Sequence, residues 1–212
     1  MTRGSVMKES LASHDSNIRE QLFEYLEDKY GKIRIIEEKR TGKARADVVM
    51  VTPEAIYGIE IKSDNDTYTR LSGQVKNYDL YYDYNVVAVG SSHGAHIKEH
   101  VPDWWGIITI EEIDGVLDFY MLREAQRNPK VKDERKISIL WRPELARIQE
   151  LNKLPKYKEK SKQFVQKKLL EQVPHDILWP QMYEELFQRD YNTIADEIRG
   201  YKSYKLSDDV EY

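Results

Sequence analysis

The chain contains no cysteine. Disulfide cross-links, thiolate zinc sites and cysteine nucleophiles are therefore excluded. Long apolar runs are missing too, and none approaches the roughly 18–20 residues that span a bilayer. The opening residues MTRGSVMKES hold no apolar core of the kind a secretory signal carries. A cytoplasmic protein without membrane association is expected. There is also no excess of positive charge: 33 Lys and Arg stand against 37 Asp and Glu, a net −4. Overall charge gives no support for nucleic-acid binding, so any such surface must be a local patch. Past about residue 122 glycine disappears until Gly200.

What remains is a chain of 212 residues, 40% hydrophobic and 33% charged. That suits a globular α/β domain with an appendage and a highly charged surface. Ile18, Leu22, Tyr25 and Leu26 recur at helical spacing over 16–29. Ser13, Asp15, Ser16 and Asn17 offer caps for that helix, and Gly31 a stop. Strands are predicted at 33–38, 46–51 and 56–62, with the turn TPEA between the last two. A helix over 68–83 carries Leu71, Val75, Tyr78 and Tyr82 on one stripe. The apolar run 85–90 reads as a buried strand, followed by a short helix near 94–100 and a strand at about 105–110. Residues 1–122 thus form a predicted α/β core with a mixed central sheet, and the helix at 68–83 serves as a crossover to a parallel strand. Residues 123–212 read as a helical C-terminal region, with helices over 143–152, 156–172, 180–190 and 192–201 punctuated by Pro155, Pro174 and Pro180. SDDVEY reads as a loose acidic tail.

The chemistry concentrates around TPEA. A turn symmetric about Pro53 and Glu54 pairs Val51 with Ile56, Val49 with Gly58, and Asp47 with Glu60. Lys62 then emerges on the face of Glu60, because side chains alternate along a strand. Two carboxylates would stand opposite each other with β-carbons roughly 4.5–5.5 Å apart, an arrangement that destabilises a hairpin. Either one carboxyl binds a proton, or a hard divalent cation such as Mg²⁺ lies between them. Asp47, Glu60 and the carbonyl of Ile61 could face one ion, with Lys62 beside them to hold a phosphate or orient water. Against this stands a plainer reading, in which Asp47 and Glu60 are exposed acids on a solvated sheet edge.

Asp47, twelve residues, then Glu60-Ile61-Lys62 resembles the signature of the PD-(D/E)XK nuclease superfamily. The order of helix, three strands, helix and strand over residues 16–90 is similar to its core. On the next helix Gln74 and Tyr78 share one face at i,i+4, as in a Q-x-x-x-Y pattern of branches near the VRR-NUC and Holliday-junction-resolvase-like groups. In those branches the glutamine approaches the active site. The resemblance covers about residues 13–110. It implies a restriction-endonuclease-like fold and Mg²⁺- or Mn²⁺-dependent hydrolysis of phosphodiesters, with Asp47, Glu60, Lys62 and Gln74 at the centre. Those branches also carry an acid on the first helix, and Asp15 occupies that slot, as a metal ligand or as a helix cap. Two departures are Asp15 where the family has glutamate and Ala46 where it has proline.

Lys39, Arg40, Lys43 and Arg45 precede Asp47 and are placed to steer a polyanion, and Arg70 and Tyr78 extend this nucleic-acid-binding set. The expected partner is nucleic acid, DNA above all, and a homodimer is compatible with the reading. Seven lysines at 153, 156, 158, 160, 162, 167 and 168, with Tyr157 and Phe164 among them, would attract phosphates or form a solvated helix. His93, His96 and His100 lack a zincin pattern and read as surface or phosphate-contacting residues. Trp104 and Trp105 read as the aromatic flank of a buried strand. The alternative to an enzyme is a catalytically inactive module on the same fold that binds nucleic acid or protein.

Overall fold

A computed structural model describes residues 18–42, 44–62, 68–94 and 96–189. The chain divides into two compact units, Met1–Val131 and Lys132–Tyr212. The predicted helix at 192–201, the acidic tail and the caps Ser13 to Asn17 lie outside the described residues.

The first unit is a six-stranded mixed sheet with flanking helices. Its order is β1-β2-β3-β4-β5-β6, with β1 at Arg34–Thr41, β2 at Ala44–Val51 and β3 at Ile56–Lys62. β4 is Tyr84–Gly90, β5 Gly106–Ile113 and β6 Val116–Arg123. The first three strands form an antiparallel meander, β3, β4 and β5 run parallel, and β6 returns antiparallel. Helix α1, residues 18–30, lays Leu22 and Leu26 against Val48, Met50, Ile59, Val86, Ala88, Ile108 and Ile110. Helix α2, Leu71–Tyr78, makes the crossover between β3 and β4. It packs on the opposite face of β3, where a β-carbon on Gly58 would lie 2.2 Å from the Tyr82 ring and 2.7 Å from that of Tyr78.

The β2–β3 turn is set by Thr52, whose hydroxyl accepts the N–H groups of Ala55 (3.1 Å) and Glu54 (3.3 Å). The register is the symmetric one expected, Val51 opposite Ile56 and Val49 opposite Gly58. The predicted helix at 68–83 is shorter. A 3₁₀ turn at Tyr68–Arg70 leads into α2, which ends at Tyr78. Beyond it, Asp79 and Asp83 are drawn into tertiary bonds that a continued helix would forbid. The Asp79 carboxylate accepts the indole N–H of Trp105 (2.9 Å) and of Trp104 (3.2 Å). That of Asp83 accepts the Ile56 N–H (3.1 Å). The two tryptophans thus act as donors to a buried acid. β6 is absent from the sequence reading. Its hairpin turns at Asp114 and Gly115, both at positive φ, as a tight Asp-Gly turn requires.

The second unit is helical: α4 at Asp133–Lys136, α5 at Arg142–Leu151, α6 at Lys162–Gln172 and α7 at His175–Phe187. Helix α3 is the four-residue turn Ser91–Gly94 of the first unit. Two expectations are corrected here. Helix α6 starts at Lys162 rather than 156, because Ser161 caps it through the Phe164 N–H. Pro180 lies inside α7, which begins after Pro174. The unit is centred on a fully buried ion pair in which Arg189 grips Glu144 bidentately, Nε to Oε1 at 2.6 Å and Nη2 to Oε2 at 2.7 Å. Glu144 Oε2 also accepts the Trp141 N–H, closing the start of α5.

Removing one partner of such a pair strands a charge in a dry interior. Glu144→Ala should cost the second unit about 3–5 kcal/mol. The double variant Glu144→Met/Arg189→Leu should recover most of that in the same urea titration, because it strands no charge.

Candidate active site

β2 and β3 pair from Val51–Ile56 only as far as Val48–Ile59. One step further the strands part, and side chains take over the bonding. The Asp47 carboxylate accepts the Ile61 N–H at 3.0 Å through Oδ2. The Tyr78 hydroxyl sits 3.3 Å from the Asp47 N–H, which donates to it, and itself donates to Glu60 Oε2 at 2.7 Å. β3 meanwhile stays paired to β4 through Lys62, opposite Val89. Glu60 and Lys62 therefore stand on a central strand beyond the point where its antiparallel neighbour has left.

Glu60 is 1% exposed and Lys62 6%. Lys62 Nζ lies 2.8 Å from Glu60 Oε1, and the Gln74 amide nitrogen donates to the same oxygen. The other amide atom, Gln74 Oε1, is buried without a partner among the described residues. The Asp47 carboxyl is pushed up to about 6, first by burial and then by the charge of Glu60. The Ile61 N–H, Arg19 and Lys62 act in the opposite direction without cancelling the rise. Burial, followed by the same Glu60 charge, holds the Tyr78 phenol well above its usual range.

Asp47, Glu60, Lys62 and Gln74 thus come together, and the half-buried Ile61 joins them through its peptide N–H. Tyr78 is corrected. Expected among the nucleic-acid contacts, it is fully buried, and its hydroxyl ties the two strands. Asp15 and Lys43 lie outside the described residues. Lys39 and Arg40 lie on β1, where Arg40 is opposite Arg45 in register, and Arg45 is exposed. Arg70 is exposed just ahead of α2. His96 and His100 are exposed, and His100 stacks on Tyr68 with ring centroids 4.1 Å apart. Among the described residues no group of three or more His, Cys, Asp and Glu side chains is placed to hold a metal. One neighbour escaped the sequence reading. Arg19 of α1 reaches the Asp47 carbonyl at 3.5 Å and Glu37 at 3.5 Å. No local pattern marks it, since its place follows from how α1 docks on the sheet.

The class these features define is an α/β protein with two acids, a lysine and a glutamine gathered where two strands diverge. The family model of bacteriophage P4 protein cII matches residues 8–199, and the chain belongs to that family. No curated protein matches it. Among solved structures it is similar to SfsA of Pyrococcus furiosus in complex with Ca²⁺, at 12% identity and a TM-score of 0.34. The likeness covers 55% of this chain, and this chain spans 65% of the SfsA chain's length. Among the described residues no helix is long and apolar enough to cross a membrane.

Two predictions follow from the geometry. The folded Asp47 holds its proton more tightly than the unfolded one, so its charge opposes folding above about pH 6, and that penalty fades as pH falls toward 4. Asp47→Asn keeps an acceptor for the Ile61 N–H. It should stabilise the metal-free protein at pH 7.5 by on the order of 1–3 kcal/mol, with the gain gone near pH 4. Thermal melts across that range measure it. Gly58→Ala should push α2 off β3 and lower stability by about 1–3 kcal/mol. It should also weaken whatever activity depends on Gln74.

Proposed function

We propose that this protein is a metal-dependent nuclease that hydrolyses phosphodiester bonds in DNA, using Mg²⁺ or Mn²⁺. One observation carries the reading: two carboxylates, one with its proton affinity raised by burial and by the charge of the other, face a buried lysine and an amide oxygen unpartnered among the described residues, at a break in the strand ladder. The resemblance to the PD-(D/E)XK pattern points the same way.

The residues present fit a hard divalent ion. Mg²⁺ needs only one or two protein carboxylates, since it keeps several of its waters. Asp47 and Glu60 supply these, and Gln74 Oε1 offers a further oxygen that no described residue uses. Asp15 and the Ile61 carbonyl complete the proposed ligand set. Such an ion would lower the pKa of bound water and stabilise charge on phosphate oxygens. The chain's own groups do the rest. Asp47 and Glu60 fix the site's negative charge. Lys62, already beside Glu60, has donors to hold a scissile phosphate or to orient water. Gln74 and Tyr78 hold the Glu60 carboxylate in one orientation. Arg45 and Arg70, with Lys39, Arg40 and Lys43, are the proposed steering charges for the polyanion.

A second reading has an observation of its own. Both oxygens of Glu60 are already bonded by protein side chains. If that state persists when metal is offered, the acids are structural and the fold binds nucleic acid or protein without cutting.

Incubation with single-stranded, duplex and branched DNA, with Mn²⁺ or with chelator, separates the two. Metal-dependent cutting is expected, and Asp47→Ala or Lys62→Ala should lower it at least about 100-fold, in keeping with the loss of an electrostatic catalytic group. Mn²⁺ should also raise the melting temperature of the wild type and not of Asp47→Ala. Cutting that survives both substitutions would place the reaction elsewhere. No heat of Mn²⁺ binding, together with unchanged DNA affinity, would favour the binding module.

A further inference from the structure

The lysine-rich stretch of the second unit takes no part in the site above. Residues 153–168 carry seven lysines and a single glutamate, in a chain whose net charge is −4. Half of the stretch is a built loop rather than the helix the sequence suggests. Lys153 and Tyr157 both sit at positive φ, 55° and 34°, where residues with a β-carbon are strained. Such a backbone persists only when its surroundings hold it, and here they do. Arg142 donates to the Tyr157 carbonyl at 2.8 Å, the Lys160 N–H donates to the same carbonyl at 3.1 Å, and Gln149 donates to the Pro155 carbonyl at 2.6 Å.

The loop so fixed exposes Lys153, Lys156, Lys158 and Lys160, and Lys167 continues the series on α6. Tyr157 and Phe164 meet edge to face, ring centroids 5.2 Å apart. The Lys160 and Lys168 ammonium groups lie 5.8 and 5.9 Å from the Phe164 centroid. Cations at that distance over a ring are weakly held there. The half-buried ring thus sits among lysines, with Tyr157 meeting it edge to face. Acids meet this stretch at its edges: Glu150 touches Lys156 at 4.0 Å, and Glu171 pairs with Lys167 and Lys168, so the seven lysines still exceed the acids nearby.

We propose that this loop and the start of α6 form a second nucleic-acid contact surface, which reads the phosphate backbone and not the bases. A fixed backbone that presents several exposed ammonium groups on one loop suits a polyanion. Release of condensed counterions supplies the affinity. The surface stands independently of the proposed nuclease site, because it needs neither metal nor Asp47.

The test uses the full chain in chelator, so that nothing is cut, with labelled duplex and single-stranded 20-mers of two unrelated sequences. The triple variant Lys156→Glu/Lys158→Glu/Lys160→Glu should weaken binding to all of them by at least about tenfold at 100 mM NaCl. On duplex, the plot of log affinity against log salt should become shallower by about 2–3. Circular dichroism and melting temperature should stay at wild-type values. Lys156→Gln/Lys158→Gln/Lys160→Gln, which adds no repulsion, should show the same change in smaller measure. Unchanged affinity and slope in both variants would overturn the proposal. So would a loss confined to one sequence, or a loss of binding to phosphatidylserine vesicles with DNA binding intact. The nuclease reading fails separately, through absence of metal-dependent cutting by the wild type, and leaves this outcome untouched.

Discussion

The ladder between β2 and β3 ends one pair before the two acids meet, and much of the first unit is organised around that break. A strand that loses its partner leaves backbone groups that must be bonded by something else. Here the Asp47 carboxylate takes the Ile61 N–H, and the Tyr78 hydroxyl takes the Asp47 N–H. The bonds that replace the ladder come from the side chains that define the site. Closing the ladder would bury the acids against each other, and removing the Asp47 carboxylate would leave the Ile61 N–H bare. Backbone and site are thus specified by the same few atoms.

That arrangement depends on how closely α2 can approach. Gly58 offers no β-carbon, so the rings of Tyr78 and Tyr82 lie directly on β3, and the Tyr78 hydroxyl reaches Glu60. The far end of the crossover is anchored separately. Asn128 donates to the carbonyls of Asp79 and Tyr82, and its own N–H donates to Asp83. The segment that follows β6 therefore holds the turn that starts β4. The C-terminal end of α2 and the residues after it are thus held both by aromatic packing on glycine and by buried carboxylates and amides. Gln74 lies one turn before Tyr78 on the same helix.

The central strands and their register were legible because a symmetric turn and two-residue alternation are local properties. Thr52 enforces them within four residues. The expected pair of Asp47 with Glu60 falls one step beyond the end of the ladder, where side chains replace the backbone bonds. Other features were not local. Gln74 and Tyr78 are marked by helical spacing, yet only tertiary packing decides that Tyr78 is buried beneath the acids and not exposed to a substrate. Arg19 carries no pattern at all. Helix α2 reads as longer than it is, because helical periodicity continues through Tyr82 while Asp79 and Asp83 bond across the fold. β6 was missed although Asp114-Gly115 is a hairpin signal, since its exposed alternate residues include Val116, Tyr120 and Leu122 and blur the expected polar face. Residues 156–160 read as the start of a helix from their lysines and glutamate, and the positive φ of Tyr157 is invisible to propensity.

Among the described residues, the acids Asp79 and Glu144 contrast with Asp47. Asp79 is met by two indoles, Asn85 and, more loosely, Lys130. Glu144 is met by the fork of Arg189 and by the Trp141 N–H. Each has donors enough to settle its charge, which is what a structural carboxylate requires. Asp47 receives one backbone N–H and faces a second carboxylate, and its proton affinity rises accordingly. The fold thus shows that it can neutralise a buried acid where one is wanted for stability, and it leaves Asp47 short. Repulsion between two carboxylates that Arg19 and Lys62 do not cancel, beside an amide oxygen without a partner among the described residues, is what a proton removes at low pH and a divalent cation would remove at neutral pH. The site's cost in stability and the cation proposed for it follow from the same electrostatics.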